Sequence, residues 1–358
     1  MRKVVYTLLI SLFVVVAQAQ NVTVKSTDDR IHYMGRVDLQ ANKAELSWSG
    51  TSIKINFNGT GVKAVLQDEG GQNYYNVIVD GVVAQKINPD NEKREYTLAS
   101  NLAAGKHNLE LFKLTEWAMG KTWFYGVNLD ANTKLLAAPA TKKHKIEFFG
   151  NSITCGYAVL DSTGKDRGTA TYEDNYKSYA AITARHFDAE YHCTARSGIG
   201  VMVSWFPLIM PEMYNRLDAN NPQSLWDFKK YTPDVVVINL FQNDSWLINN
   251  PQHAEFKARF GTIKPAPADI VKAYESFVKT IRSTYPKANI ICALGNMDAT
   301  REGSPWPGYV KQAVANLNDK NIYTLKFPAK STPGHPNAQE QQAMANDLIG
   351  FIDKNIKW

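Results

Sequence analysis

Cysteine is scarce in this chain: Cys155, Cys193 and Cys292 are the only three in 358 residues. Three thiols cannot build a disulfide framework, so at most one pair can bridge and the fold must rest on its core. Long hydrophobic runs are missing beyond the first twenty or so residues, so the rest of the chain offers no candidate membrane span. A dense basic run is also missing. The formal net charge of +6 falls to +4 once Arg2 and Lys3 are set aside, and nucleic acid is a poor partner for such a chain. Cysteines, histidines and carboxylates do not cluster at metal-ligand spacing. There is no internal repeat and no low-complexity tract.

What is present begins with an address. "MRKVVYTLLISLFVVVAQAQ" has a basic start at Arg2 and Lys3, an apolar stretch from Val4 to Val16, and the small-x-small site Ala17-Gln18-Ala19. This pattern predicts an export signal over residues 1–19, cut after Ala19, and a secreted or periplasmic product. The apolar stretch is short for a bilayer span, and no cysteine stands at the cut to carry a lipid.

The remaining length favours two domains, and the pattern changes between them. From about Val22 to Asn132 the apolar residues alternate. "SIKINFNG" sets Ile53, Ile55 and Phe57 on one face, and "YNVIVDG" does the same with Tyr75, Val77 and Val79 before a turn at Asp80-Gly81. Short alternating runs between Gly, Asn and Asp turns predict an antiparallel β-sandwich over residues 20–135. Residues 136–144 contain Pro139, have no period and read as a short linker, so the two domains should pack together.

From 145 to 358 strand-length apolar runs alternate with helical stripes. The predicted strands are Ile146–Phe149, Glu190–Thr194, Val235–Leu240, Ile290–Leu294 and Ile322–Phe327. Ile270, Tyr274, Phe277, Val278 and Ile281 share one helical face, residues Tyr172 to Phe187 suit a helix, and Ala345, Leu348, Ile349, Ile352 and Ile356 form a last stripe. This alternation predicts an α/β fold, a doubly wound parallel sheet covered by helices on both faces.

In open parallel sheets ligands bind beyond the carboxyl ends of the strands. The first predicted strand runs into Gly150-Asn151-Ser152, and Ser152 is there either as a reactive hydroxyl or as part of a helix cap. The second is followed by Ser197-Gly198, the third by Asn243-Asp244, the fourth by Asn296 and Asp298, and the fifth by a segment carrying His335. A nucleophile, a general base and oxyanion donors can therefore meet at one edge, which is the equipment for acyl transfer. Pro336 suits the first turn of a helix, which would set His335 near a positive helix end. Trp205, Trp246 and Trp306 are candidate platforms for sugar rings, with Trp306 in "EGSPWPGY" the most exposed by its loop placement.

With these residues in view, the chain resembles the SGNH (GDSL-type) hydrolases. "GNSIT", "SGIG", "QND" and "HPN" are similar to the four sequence blocks of that superfamily. "AAGKHNLELFKLTEW", following a jelly-roll-like sandwich, together with "IEFFGNSITCGYA" and "IICALGNMD", resembles carbohydrate esterase family 2. The resemblance implies a serine esterase that removes acetyl groups from xylan or glucomannan without metal or other cofactor. It implies Ser152 as nucleophile, His335 as general base, and an oxyanion hole formed by the Ser152 and Gly198 backbone N–H groups and the Asn243 side chain. Trp306 and Trp246 are the expected substrate platforms. The expected partner is an acetylated polysaccharide or oligosaccharide, and a monomer is the expected state. The alternatives are a carbohydrate-binding protein with a decayed esterase site, and an esterase for a different acyl group.

Two positions depart from the resembled pattern. Phe241 stands where the third block usually has Gly, which bears on the loop beside the oxyanion hole. Thr332 and Pro333 stand where an Asp usually precedes the histidine. The expectation is a Ser152–His335 dyad with a backbone carbonyl on the distal ring nitrogen, and Asp298 as the acid to check first.

Overall fold

The computed structural model describes residues 22–130 and 133–358. The export-signal reading of residues 1–19 and its cut after Ala19 lie outside the described residues. In the N-terminal half, alternation in sequence becomes alternation in burial. Along the strand Ser52–Gly59, Ile53, Ile55 and Phe57 are buried while Lys54 and Asn56 are half-exposed. That strand pairs antiparallel with Gly105–Lys113, which pairs with Tyr75–Val79. A second antiparallel sheet, built around Val62–Asp68 and Thr122–Leu129, faces it. Phe57, Leu66, Val77, Leu111 and Phe124 fill the space between the two sheets.

The strand Tyr75–Val79 is buried at every position, because both of its faces are covered. Tyr75, Val77 and Val79 face the sandwich core, whereas Ile78 joins Met34, Phe112 and Leu114 against the C-terminal half. Polar contacts accompany this apolar seam. Arg36, almost fully buried, donates to Glu147 Oε1 at 2.8 Å and to the carbonyls of Tyr214 and Arg216 at 2.6 and 2.8 Å. The Trp48 indole donates to the Leu217 carbonyl at 2.7 Å.

The C-terminal half is a parallel sheet of β1 (His144–Gly150), β2 (Ala189–Ala195), β3 (Val235–Asn239), β4 (Asn289–Leu294) and β5 (Ile322–Lys326). Its spatial order is β2-β1-β3-β4-β5. The strands read as near-continuous apolar runs because helices cover both faces. Ile270, Tyr274 and Phe277 of the helix Pro267–Thr284 pack on one face. Met344, Leu348 and Ile352 of the helix Ala338–Asn355 pack on the other. The helix expected from Tyr172 starts instead at Tyr179, where the Ser178 hydroxyl accepts the Ala181 N–H at 3.2 Å and caps it. The sheet order reverses around β1, whose neighbours are β2 and β3. Such a switch point opens a crevice at the carboxyl ends of the strands. All three cysteines are free and buried. Among the described residues no helix is long and apolar enough to cross a membrane.

Candidate active site

β1 ends at Gly150, where a Cβ would stand 2.0 Å from Thr154 Oγ1, so only glycine fits. Asn151 has extended backbone, and its side-chain oxygen accepts the Ile153 N–H at 3.1 Å. The capping task therefore falls to Asn151, and Ser152 opens the short helix Ser152–Cys155 with its hydroxyl free of it. That hydroxyl lies 2.8 Å from His335 Nε2.

His335 arrives from the other end of the chain. It stands two residues before Asn337, the N-cap of the helix Ala338–Asn355. Pro336 thus precedes that helix instead of lying in its first turn, and His335 is held by other means. The expected dyad is corrected here. The distal nitrogen of His335, Nδ1, meets the carboxyl group of Asp166, at 2.8 Å from Oδ1 and 2.9 Å from Oδ2. Oδ1 also accepts the His335 backbone N–H at 2.9 Å. A carboxylate only accepts, so the Nδ1 proton sits between the two residues and Nε2 presents its lone pair to Ser152. The Tyr157 ring packs beside the imidazole, 4.5 Å between centroids.

Asp166 lies in the loop between the Ser152 helix and the Tyr179 helix, in left-handed backbone at φ 57°. The loop is braced by Asp161. One of its oxygens accepts Thr163 N–H and Oγ1–H and Arg167 Nη2–H at 3.0, 2.7 and 2.8 Å. The other accepts the Arg167 backbone N–H at 2.9 Å and Nε–H at 3.1 Å. The Arg167 guanidinium holds the Asp161 carboxyl far below the usual carboxylate range. For Asp166, burial acts upward, but the hydrogen bonds and charge of His335 outweigh it and keep the carboxyl below its ordinary value. Asp298 serves elsewhere: its oxygens accept from the Trp246 indole at 2.7 Å and from Arg301 at 2.6 Å.

Ser152, Gly198 and Asn243 line one cavity. Gly198 has φ 82°, a left-handed turn that suits glycine. Among the described residues, no backbone acceptor pairs with the N–H of Ser152 or of Gly198. Asn243, almost fully buried, donates one amide proton to the Ile199 carbonyl at 2.8 Å, and its oxygen accepts the Trp205 indole N–H at 3.0 Å. Because indole N–H only donates and a carbonyl only accepts, these two contacts fix the amide orientation. The second amide proton remains available to the cavity that Asn243 lines with Ser152, Gly198 and His335. Next to it, buried Asp244 accepts the N–H groups of Val201, Met202 and Val203 at 3.0, 2.7 and 3.2 Å and so shapes the turn after Gly198. Burial pushes its carboxyl up to about 6 despite these donors.

Phe241 keeps the loop shape that a glycine would be expected to allow. It adopts φ 79°, ψ −12°, fully buried against Tyr274 and Trp306 at 4.6 and 4.9 Å between centroids. Trp306, expected as the most exposed platform, is 5% exposed and belongs to the core. Its Gly/Pro-rich surroundings read as a loop, but it opens the helix Trp306–Leu317, whose inner face covers Phe241. Trp246 and Trp205 do line the cavity, which measures about 520 Å³. Trp205 is 47% exposed at its edge. The arrangement joins an activated hydroxyl, an oriented imidazole and convergent donors beside an open cavity. It can form and cleave an ester at Ser152 Oγ.

Residues 33–139 match the family described as Carbohydrate esterase 2 N-terminal. Residues 148–342 match the GDSL-like Lipase/Acylhydrolase family. The chain is 34% identical to Cellulase/esterase CelE of Acetivibrio thermocellus, over 92% of this chain and 40% of that protein, so it spans less than half of that relative. It is 30% identical to an Acetylxylan esterase / glucomannan deacetylase of Cellvibrio japonicus, over 90% of this chain and 91% of that protein. A solved structure of a family two carbohydrate esterase from Clostridium thermocellum, in complex with cellohexaose, is similar at TM-score 0.80 and 34% identity. The match covers 90% of this chain and 98% of that one.

Proposed function

The chain belongs to carbohydrate esterase family 2 and is a carboxylic ester hydrolase, and on that premise we propose that it removes O-acetyl groups from plant cell-wall polysaccharide, xylan or glucomannan, through an acetyl-Ser152 intermediate. The observation that carries this reading is the continuous chain of contacts from Asp166 through His335 to Ser152 Oγ, each near 2.8 Å.

In the first half-reaction Ser152 Oγ adds to the acetyl carbonyl while His335 Nε2 takes its proton. Asp166 holds the Nδ1 proton and stabilises the imidazolium that forms. The negative charge on the former carbonyl oxygen meets the Ser152 N–H, the Gly198 N–H and the free Asn243 amide proton. The bond to the sugar oxygen then breaks, and that oxygen leaves with the proton from His335. In the second half-reaction water gives its proton to His335 and adds to the acetyl-enzyme. The acetyl carbon leaves as acetic acid, which ionises in water, and Ser152 Oγ recovers its proton from His335. No step needs a metal, so chelation with EDTA should leave the rate unchanged. Trp246 and the exposed face of Trp205 suit the cavity wall for sugar rings.

The same reading takes residues 1–19 as a cleaved export signal and 20–135 as the sandwich domain. It takes 136–144 as linker and 145–358 as the catalytic domain. It treats the enzyme as an exported monomer meeting an acetylated glycan outside the cytoplasm. The relatives called acetylxylan esterase / glucomannan deacetylase support this substrate class. The test is acetate release from acetylated xylan, acetylated glucomannan and 4-nitrophenyl acetate. Release from a glycan, absent in Ser152→Ala, is the expected result. Glycan binding without acetate release would favour the carbohydrate-binding alternative, and turnover of longer acyl esters alone would favour another acyl group.

A further inference from the structure

A second buried cluster lies directly behind the candidate site, and it joins the two halves of the molecule. Lys113 and Glu116 come from the sandwich, at and just beyond the end of the strand Gly105–Lys113. Cys155 sits on the far end of the short helix that carries Ser152. Glu173 belongs to the segment before the Tyr179 helix. All four are buried. The carboxyl oxygens of Glu116 and Glu173 and the Cys155 sulfur lie within 4.8 Å of one another. Lys113 Nζ, the cation beside them, donates to the carbonyls of Thr115 and Glu116 at 2.8 and 3.4 Å.

Glu116 is the hub. Its backbone N–H donates to Glu173 Oε1 at 3.0 Å. Its own Oε2 accepts the backbone N–H of Ser197 at 2.8 Å and faces the Cys155 thiol at 3.7 Å. One carboxyl oxygen from the sandwich therefore touches both the Arg196–Ser197 peptide, the one before the peptide that carries the Gly198 N–H, and the helix of the nucleophile. The next residue, Trp117, reinforces the contact, with the Arg196 guanidinium over its ring at 4.0 Å. Burial pushes the Glu116 and Glu173 carboxyls up, while the Ser197 contact and the Arg196 charge act downward on Glu116 and the Lys113 charge acts downward on Glu173.

The segment that this contact holds needs holding. Gly198 has no Cβ to restrict its backbone, so its left-handed conformation must be set by its neighbours. Its N–H is of use to an oxyanion only if the preceding peptide is fixed. The backbone contacts around it are Arg196 N–H to the Gly150 carbonyl at 3.2 Å, Ile199 N–H to the Arg196 carbonyl at 3.3 Å and Trp205 N–H to the Gly198 carbonyl at 3.0 Å, and among the described residues none of them engages the Ser197 N–H. We propose that Glu116 is a positioning residue of the oxyanion hole: by accepting the Ser197 N–H it sets the Gly198 N–H toward the carbonyl being attacked by Ser152. The β-sandwich then contributes to catalysis from within the site and is not only an accessory domain. This role rests on the esterase reading of Ser152.

The test uses the full chain and two variants. Glu116→Met keeps the side-chain volume and removes the acceptor, whereas Glu116→Gln keeps a side-chain oxygen for Ser197. With 4-nitrophenyl acetate, Glu116→Met should lose roughly ten- to a hundredfold in kcat with KM changed less than about twofold, as for partial loss of a donor that acts in the transition state. Glu116→Gln should recover most of that loss. Hydrogen exchange gives a readout that does not depend on the variants: the Ser197 amide should be strongly protected in the wild type. A kcat within about threefold of wild type in folded Glu116→Met, or a rapidly exchanging Ser197 amide, overturns the role, as would equal losses in Met and Gln. If the wild type were inactive, or Ser152→Ala remained active, the esterase reading itself would fall and this role with it. Those outcomes are distinct from a normal wild type with an unaffected Glu116→Met.

Discussion

Asp166 and His335 meet across 169 residues of chain, and a single carboxylate oxygen, Oδ1, accepts both the Nδ1 proton and the backbone N–H of the same histidine. Two contacts to one residue fix where the imidazole sits and which nitrogen carries the proton. The acid that family resemblance sets just before the histidine is supplied here from a different loop, and Thr332 is left to accept from Lys330 Nζ at 2.6 Å.

Asp166→Ala is therefore expected to lower kcat by about a hundredfold with little change in KM. It removes both the tautomer lock and the charge that stabilises the imidazolium. Steady-state kinetics with 4-nitrophenyl acetate measures it. A loss of less than about threefold would mean that the site works as a Ser152–His335 dyad after all.

The same carboxyl predicts a dependence on acid. Asp166 lies below its ordinary value in the folded protein. A depressed folded value makes a stabilising contribution that is complete above the unfolded carboxyl range, at about pH 4. That contribution is lost as pH falls through the folded value. The stability difference between wild type and Asp166→Ala should thus shrink as pH falls below about 4. Urea unfolding at several pH values gives the comparison. A difference that grows as pH falls below about 4 would contradict the assignment.

Much of this arrangement was legible in the sequence, for reasons that can be named. The central strands β3 and β4 carry near-continuous apolar runs because both of their faces are covered. Each expected strand falls within two residues of the observed one at either end. Ser152 and His335 could be brought together because each follows a strand of one parallel sheet, and strand ends of one sheet share an edge. Asp166 left no such signal. Its loop has no period, and its role depends on a left-handed turn and on the Asp161–Arg167 brace, both products of three-dimensional structure. Trp306 was misread because Gly and Pro around it suggest a loop, while its ring closes over Phe241. Glu116 was invisible for a further reason: its partner Ser197 lies in the other half of the chain.

Asn243 offers a prediction with its own control. Asn243→Ala is expected to lower kcat by roughly a hundredfold or more, as the oxyanion role proposed for its free amide proton requires. The Trp205 indole donates to the Asn243 oxygen and so orients that amide. Trp205→Phe keeps the ring but removes this donor, and should cost about tenfold or less in kcat. If Asn243→Ala altered KM alone, the amide would be a substrate contact and not an oxyanion donor.

Phe241 sets two opposing terms against each other. A non-glycine residue in left-handed backbone costs about 1–2 kcal/mol, yet the Phe241 ring is fully buried against Tyr274 and Trp306. Phe-to-small changes in a core cost about 3–5 kcal/mol. Phe241→Gly relieves the strain but opens the cavity, for a net loss of about 2–4 kcal/mol. Phe241→Ala opens nearly the same cavity and keeps the strain, so it should be less stable than the glycine variant by about 1 kcal/mol. The expected order in urea unfolding is wild type, then Phe241→Gly, then Phe241→Ala. Both variants should keep much of their activity well below their melting temperatures, with the glycine variant the closer to wild type, because its backbone favours the turn that leads into Asn243. An alanine variant as stable as the glycine variant would show that φ at this position carries no strain, and burial alone would then account for the phenylalanine.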